Sequence, residues 1–209
     1  PRRVDRHRLT VLRRCSGGGT VLGFDCGPGN CLLDGWTELH RGVRFDAAGE
    51  WSATGTEDRA LLARLLDHSY FGAAPPKSTG HERFGEAFFA RARAALLERG
   101  GSPDDLCATL ARFTIESVAR AAERFFPKPA QRWILYGGGV RNPALLQGLR
   151  ERLAPAPVET TDLHGVPSGA LEAIAFAVLG HCASVGLVSN LPAATGAKRH
   201  CSPRATGAR

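Results

Sequence analysis

Gly23-Phe24-Asp25-Cys26-Gly27-Pro28-Gly29-Asn30-Cys31-Leu32-Leu33-Asp34-Gly35-Trp36 compresses a strand, a tight loop and a helix start into one run. Residues 20–24 are apolar enough for a strand, and Asp25 closes it. Gly27-Pro28-Gly29 turns the chain, and Cys31 opens a helix. Upstream, residues 8–12 form a second apolar-rich run, separated from the first by Ser16-Gly17-Gly18-Gly19. Two antiparallel strands joined by a glycine-rich turn are therefore expected. An acid at a strand end, followed by glycines that let backbone N–H groups converge, suits a site for phosphate or sugar. The competing reading is a Gly/Pro turn in which Asp25 bonds its own backbone.

Outward from this run, residues 57–66 have helical periodicity, and Pro75-Pro76-Lys77-Ser78-Thr79-Gly80 is a loop. Residues 82–99 and 104–126 read as two long amphipathic helices, the first stopped by Gly100-Gly101. Ser102-Pro103-Asp104-Asp105 places Pro at a first helical position with acids in the first turn, where the helix dipole favours them. Residues 132–136 form a short strand ending in a triple glycine, and Asn142-Pro143 caps a helix over 144–153. A strand at 157–161 and an apolar helix at 168–186 follow. The order predicts an α/β or layered α+β domain with its last two strands parallel.

Two further places invite chemistry. Gly137, Gly138 and Gly139 lie between a strand and a helix N-terminus, where bare backbone can approach a base and ribose. The run matches neither a P-loop nor a G-x-G-x-x-G fingerprint, and an ordinary tight turn is the alternative. Glu172 sits in a helix that is apolar on every side and is expected to be buried in the core. An acid there needs a polar partner. It either caps the helix, projects from a short exposed stretch, or faces a cleft and binds something polar.

Composition narrows the classes. The chain has 209 residues, 43% hydrophobic and 22% charged, which is ordinary globular usage. No run of about 18 residues is apolar and uncharged, so no membrane-spanning helix is expected. The net charge is +7, but Lys77, Lys128 and Lys198 are the lysines and the arginines are scattered. No basic stripe alternates with aromatics, which argues against nucleic acid as a partner. Six cysteines occur without a C-x-x-C pair, which fits free thiols in a reduced, cytoplasmic setting. The chain contains no Met and starts with Pro, which suggests a processed product, an incomplete gene model or a fragment.

Jointly the motifs resemble one family. The run 23–36 is similar to the G-[FY]-D-T-G-P-G-N-x-L-[LM]-D-x-W signature of anhydro-N-acetylmuramic acid kinases. Residues 75–80 resemble that family's P-P-K-S-T-G, 136–143 its C-G-G-G-x-x-N-P, 160–165 its T-T-D-x-x-G, and Leu171-Glu172-Ala173 its L-E-A-x-A-F helix. Residues 190–197 match its closing N-L-P-x-x-T-G-A. The matches run in family order over residues 8–197.

The resemblance implies a fold and a chemistry. The fold is the C-terminal lobe of a two-lobed, RNase H-like (actin-like ATPase) sugar kinase, a mixed sheet flanked by helices. That lobe would span 1–197, with 198–209 a disordered tail. The implied reaction opens the anhydro ring with water while ATP, with Mg²⁺, phosphorylates the primary alcohol, a step of cell-wall sugar recycling. Asp25 matches the catalytic base, and Glu172, Asn30 and Lys77 match substrate-binding positions. Gly137, Gly138, Gly139 and Asn142 match the segment that receives the adenosine of ATP. Small-molecule partners are implied, and the assignment leaves room for a homodimer of the full-length protein.

Cys26 and Cys31 depart from the usual Thr and Met or Val by small volumes. The family's G-T-S-x-D-G phosphate loop and G-G-I-x-N segment do not occur in this sequence, so a C-terminal lobe, inactive alone, is the expectation. The rival is a vestigial or binding module that keeps the fold without catalysis. An Arg-driven nucleic-acid binder is a distant third.

Overall fold

The computed structural model describes residues 9–14 and 21–202. β1 (Leu9–Arg14) and β2 (Val21–Gly27) pair antiparallel, with Thr10 opposite Asp25 and Arg14 opposite Val21. The glycine-rich turn expected at 16–19 lies outside the described residues. α1 (Cys31–Arg41) follows directly and ends at Gly42, whose φ of 68° is the left-handed conformation that favours glycine. α2 (Arg59–Leu66) starts on Asp58, whose carboxylate accepts from the N–H groups of Ala60 and Leu61. The short helix α3 (Ser69–Gly72) comes next.

The periodicity over 82–99 predicts one helix, but two form: α4 (His81–Phe84) and α5 (Glu86–Glu98). Gly85 breaks the path with extended backbone. The break lets Phe84 tuck into an aromatic cluster, with ring centroids 5.5 Å from Tyr70, 5.6 Å from Phe71 and 5.0 Å from Phe88.

α6 (Pro103–Phe125) is the longest element, about 35 Å at 1.5 Å per residue. Its start is fixed by a reciprocal cap: Ser102 Oγ accepts from the Asp105 N–H, and the Asp105 carboxylate accepts from the Ser102 N–H. One half of α6 buries Leu106, Leu110 and Phe113 against α1, α2 and α5. The other half sends Val118, Ala119 and Ala121 into a second cluster with Phe24 and Cys26 of β2.

β3 (Trp133–Leu135), α7 (Pro143–Arg152) and β4 (Val158–Thr160) complete a βαβ unit, with β3 and β4 parallel and Trp133 opposite Val158. The protein is thus α/β with a small parallel sheet and surrounding helices. One mixed sheet does not form among the described residues. Two two-stranded sheets stand instead, and Leu153, Val158, Trp133 and Leu135 join β2 through the shared apolar cluster rather than a hydrogen-bond ladder.

α8 (Leu171–Val185) and α9 (Pro192–Thr195) end the described fold. α9 crosses β2 at Gly23, where a Cβ would stand 3.0 Å from that of Ala194. The expected tail is pinned at its start: the Asn190 carboxamide donates to Arg199 O and accepts from Cys201 N–H. Residues 203–209 lie outside the described residues.

The core-helix expectation for 168–186 is corrected. No residue of α8 is buried, and Phe176 is 74% exposed. The reason is topological: after β4 the chain turns at Thr161–His164 and leaves the two clusters, and no described element packs extensively against α8. Hydropathy reports what a helix can bury, not whether a surface is offered to it.

This contrast is measurable. Phe113 is fully buried between Phe71 and Phe88, so Phe113→Ala is expected to cost about 3–5 kcal/mol. Phe176→Ser is expected to change stability by no more than about 0.5 kcal/mol. Urea unfolding midpoints decide it, and a large loss at Phe176 would mean that α8 is packed.

A second prediction concerns pH. His68 Nδ1 accepts from the Tyr70 N–H at 3.2 Å, capping α3, and its ring lies among Phe71, Phe84 and Phe88. Burial first, then the fields of Arg91 and Arg83, hold the imidazole below its ordinary range. The folded chain thus takes a proton less readily than the unfolded one. This contribution is complete above the ordinary histidine pKa of about 6.5 and declines as pH falls below it. His68→Asn keeps an acceptor without titrating there, so its stability should change less between about pH 7 and pH 5. Equal slopes in denaturant titrations would remove His68 from the account.

Candidate functional site

Asp25 lies on β2 rather than in a free turn, and it is 6% exposed. Its carboxylate Oδ2 accepts from Ser78 Oγ at 2.8 Å and from the Thr79 N–H at 3.0 Å. Its own N–H donates to Lys77 O at 3.1 Å, and its carbonyl accepts from the Tyr70 hydroxyl at 2.7 Å. Loop 75–80 therefore holds the side chain in one orientation. Burial pushes the Tyr70 phenol well above its usual range, with the Asp25 charge adding to it. Tyr70 accordingly stays a hydrogen-bond donor.

The loop after Asp25 is fixed from α6. Thr114 Oγ1 donates to Gly29 O at 3.0 Å, and a Cβ on Gly27 would stand 3.0 Å from Ser117 Oγ. Gly29 itself has φ 62°. Asn30 starts α1, its carbonyl accepting from the Asp34 N–H at 2.8 Å. Its carboxamide reaches the triple glycine, where Asn30 Nδ2 lies 3.3 Å from the place a Cβ would take on Gly139. The two loops expected to bind ligand thus touch. A side chain at Gly139 would press on Asn30 between the two loops, and one at Gly27 would press on Ser117 of α6.

Gly137 has φ 86°, and its N–H donates to Ser168 O at 3.0 Å. Asn142 caps α7 through Oδ1 to the Leu145 N–H at 3.0 Å and is 6% exposed. Its carboxamide is also packed against Gly49, where no Cβ fits. Asn142 is therefore committed to shaping the turn.

Glu172 occupies the first turn of α8 and is exposed, so it carries no burial cost. It reaches the Asp25 neighbourhood through Tyr136. Burial first, then the charges of Glu172 and of Asp25, raise the Tyr136 phenol above its ordinary range. One aromatic residue directly before the triple glycine thus feels both carboxylates. It stands where the family pattern has Cys.

Lys77 is placed differently from the other expected site residues. Its ammonium donates to Tyr70 O at 3.0 Å and lies over the rings of Tyr70 and Phe125 at 4.7 and 4.5 Å. Burial lowers its pKa. It lines a cleft with His68, Glu116, Arg124 and Arg152, whose walls include neither Asp25 nor the triple glycine. Its backbone carbonyl is what meets Asp25.

Sequence reasoning missed Tyr70, Ser78, Thr79 and Tyr136. Ser78 and Thr79 sit inside a segment already singled out. Tyr136 adjoins another. Nothing local marks Tyr70, which is 45 residues from its partner. Burial raises the thiols of Cys31 to about 11 and of Cys107 to about 12, so neither is a ready nucleophile. Among the described residues no helix is long and apolar enough to cross a membrane.

The sequence profile described as anhydro-N-acetylmuramic acid kinase matches residues 9–207. An anhydro-N-acetylmuramic acid kinase of Cupriavidus pinatubonensis is 45% identical over 193 residues, covering 91% of this chain and 50% of the relative. One of Xanthomonas campestris pv. campestris is 45% identical over 200 residues, covering 96% and 50%. One of Haemophilus influenzae is 39% identical over 186 residues, covering 85% and 49%. The chain spans about half the length of the curated relatives it matches. With that profile covering nearly all of the sequence, the loops gathered around Asp25 are those of a chain that belongs to the anhydro-N-acetylmuramic acid kinase family.

Proposed function

We propose that this chain is the sugar- and adenosine-binding part of an enzyme acting on 1,6-anhydro-N-acetylmuramic acid. The enzyme opens the anhydro ring with water and phosphorylates the sugar's primary alcohol. The observation that carries this reading is Asp25, a buried carboxylate held by Ser78 and Thr79 in the last part of β2, beside the loops of the triple glycine. A base needs a fixed acceptor within reach of a water. We read the chain as an RNase H-like, actin-like C-terminal lobe, acting in the cytoplasm on small molecules.

In this reading water attacks the anomeric carbon as its bond to the bridging oxygen breaks. Asp25 takes the water's proton. The departing oxygen becomes the primary alcohol position that accepts the phosphoryl group. ATP supplies that group, with Mg²⁺ carried mainly by the phosphates. Glu172 accepts a hydrogen bond from a sugar hydroxyl, and Asn30 lines the passage between sugar and nucleotide. The open backbone at Gly137 and Gly138, where a Cβ would meet nothing within 4 Å, supports a place for adenosine. Asn142 and Lys77 serve by holding loops rather than by touching ligand. The rival reading, a binding module without turnover, shares every one of these contacts and differs in the fate of Asp25.

In a protein extended to the length of its relatives, Asp25→Asn should lower kcat by about 10²–10⁴-fold with little change in sugar affinity. Near-normal turnover would leave Asp25 a structural residue. Glu172→Gln in the same protein should weaken sugar binding roughly tenfold, about 1.4 kcal/mol, and spare ATP. Calorimetric titration of each ligand separates the two. A joint fall in both affinities would overturn the substrate assignment.

A further inference from the structure

Ligands of α/β sheets lie outside the carboxyl ends of parallel strands. The turns that follow β3 and β4 meet at that edge. Gly137 N–H donates to Ser168 O, and Asp162 accepts from the Ser168 N–H at 3.1 Å, so the two turns form one seam.

Most polar side chains of the seam are occupied. Asn142 caps α7, Asp162 holds Ser168, and His164 pairs with Glu159 at 2.9 Å. Two are not. Thr161, the first residue after β4, is 8% exposed, and its Oγ1 has no hydrogen-bond partner. A buried hydroxyl without a partner is uncommon and points to a ligand or water that completes it. Arg141 ends the turn after β3, and no carboxylate among the described residues pairs with it. One of its terminal nitrogens lies 2.9 Å from where a Cβ of Gly169 would stand, so the guanidinium rests on bare backbone. Beside it is the open ground above Gly137 and Gly138.

We propose that Arg141 and Thr161 complete the nucleoside part of the site: Arg141 lays its guanidinium on the purine, and Thr161 gives its hydroxyl to a polar group that arrives with the nucleoside. The proposal rests on the nucleotide reading above and names side chains for it. Arg141 occupies an unspecified position of the C-G-G-G-x-x-N-P pattern, so this contact belongs to this chain rather than to the signature. A guanidinium is planar and weakly hydrated, and it stacks on aromatic faces as an ammonium does not. Gly169 matters because any side chain there would displace it.

The test is calorimetric titration of ADP, and separately of inorganic pyrophosphate, into the 209-residue chain and its variants. Arg141→Gln should weaken ADP about tenfold and leave pyrophosphate unchanged, and Arg141→Lys should not restore ADP. Thr161→Val should weaken ADP while holding or raising the thermal midpoint, since it removes an unpaired buried hydroxyl. Unaltered ADP affinity in both variants overturns this assignment alone. Recovery in Arg141→Lys, or pyrophosphate falling in step with ADP, makes Arg141 a phosphate contact and overturns the purine contact. A parent chain that takes no ADP overturns the nucleotide reading itself, and this assignment with it.

Discussion

Three parts of Asp25 are bonded to one segment: its amide to Lys77, its carbonyl to Tyr70, and its carboxylate to Ser78 and Thr79. A buried strand end would otherwise strand these polar groups away from water, and each would be costly. Because segment 70–79 satisfies them together, the loop, the strand and the carboxylate have one arrangement rather than several. Lys77 secures the far side of that segment by donating back to Tyr70 O from among aromatic rings. The chemistry and the packing are therefore not separable here. Loosening Tyr70 or Lys77 would move the candidate base.

α6 supplies the other constraint. It is buried along most of its length and touches both apolar clusters, so the strand pair and the βαβ unit are placed relative to one rod. Glu116 on its flank gathers Arg112, Arg120 and Arg152, the last from α7. Part of the positive charge that a composition count leaves unexplained is thus held in a local ion-pair group. Such a group orients α7 more than it stabilises it, since desolvation offsets much of the attraction.

What was legible in the sequence is what is decided locally. Ser102-Pro103-Asp104-Asp105 states where α6 begins, because a cap needs only its own turn, and Asn142-Pro143 does the same for α7. The parallel pairing of β3 with β4 followed from an intervening helix. The break at Gly85 was not legible, because apolar spacing continues across it and the gain comes from Phe84 reaching rings remote in sequence. The exposure of α8 was not legible either. Glu172 was singled out for a cost that an exposed position does not carry, and its neighbourhood with Tyr136 is a fact of tertiary placement. The direction taken by the Lys77 side chain has the same origin.

The uncovered state of α8 also divides the molecule in time. Amide protons of α6 are released only when the two clusters come apart, so their exchange with solvent follows global unfolding. Those of α8, none of whose residues is buried, are held mainly by the helix's own hydrogen bonds and are expected to exchange faster, through local fraying. Glu172 sits at the start of this fast-exchanging rod while Asp25 sits in the slow core. The two candidate carboxylates are thus expected to belong to different cooperative units, so the geometry between them would be renewed on the timescale of the weaker one.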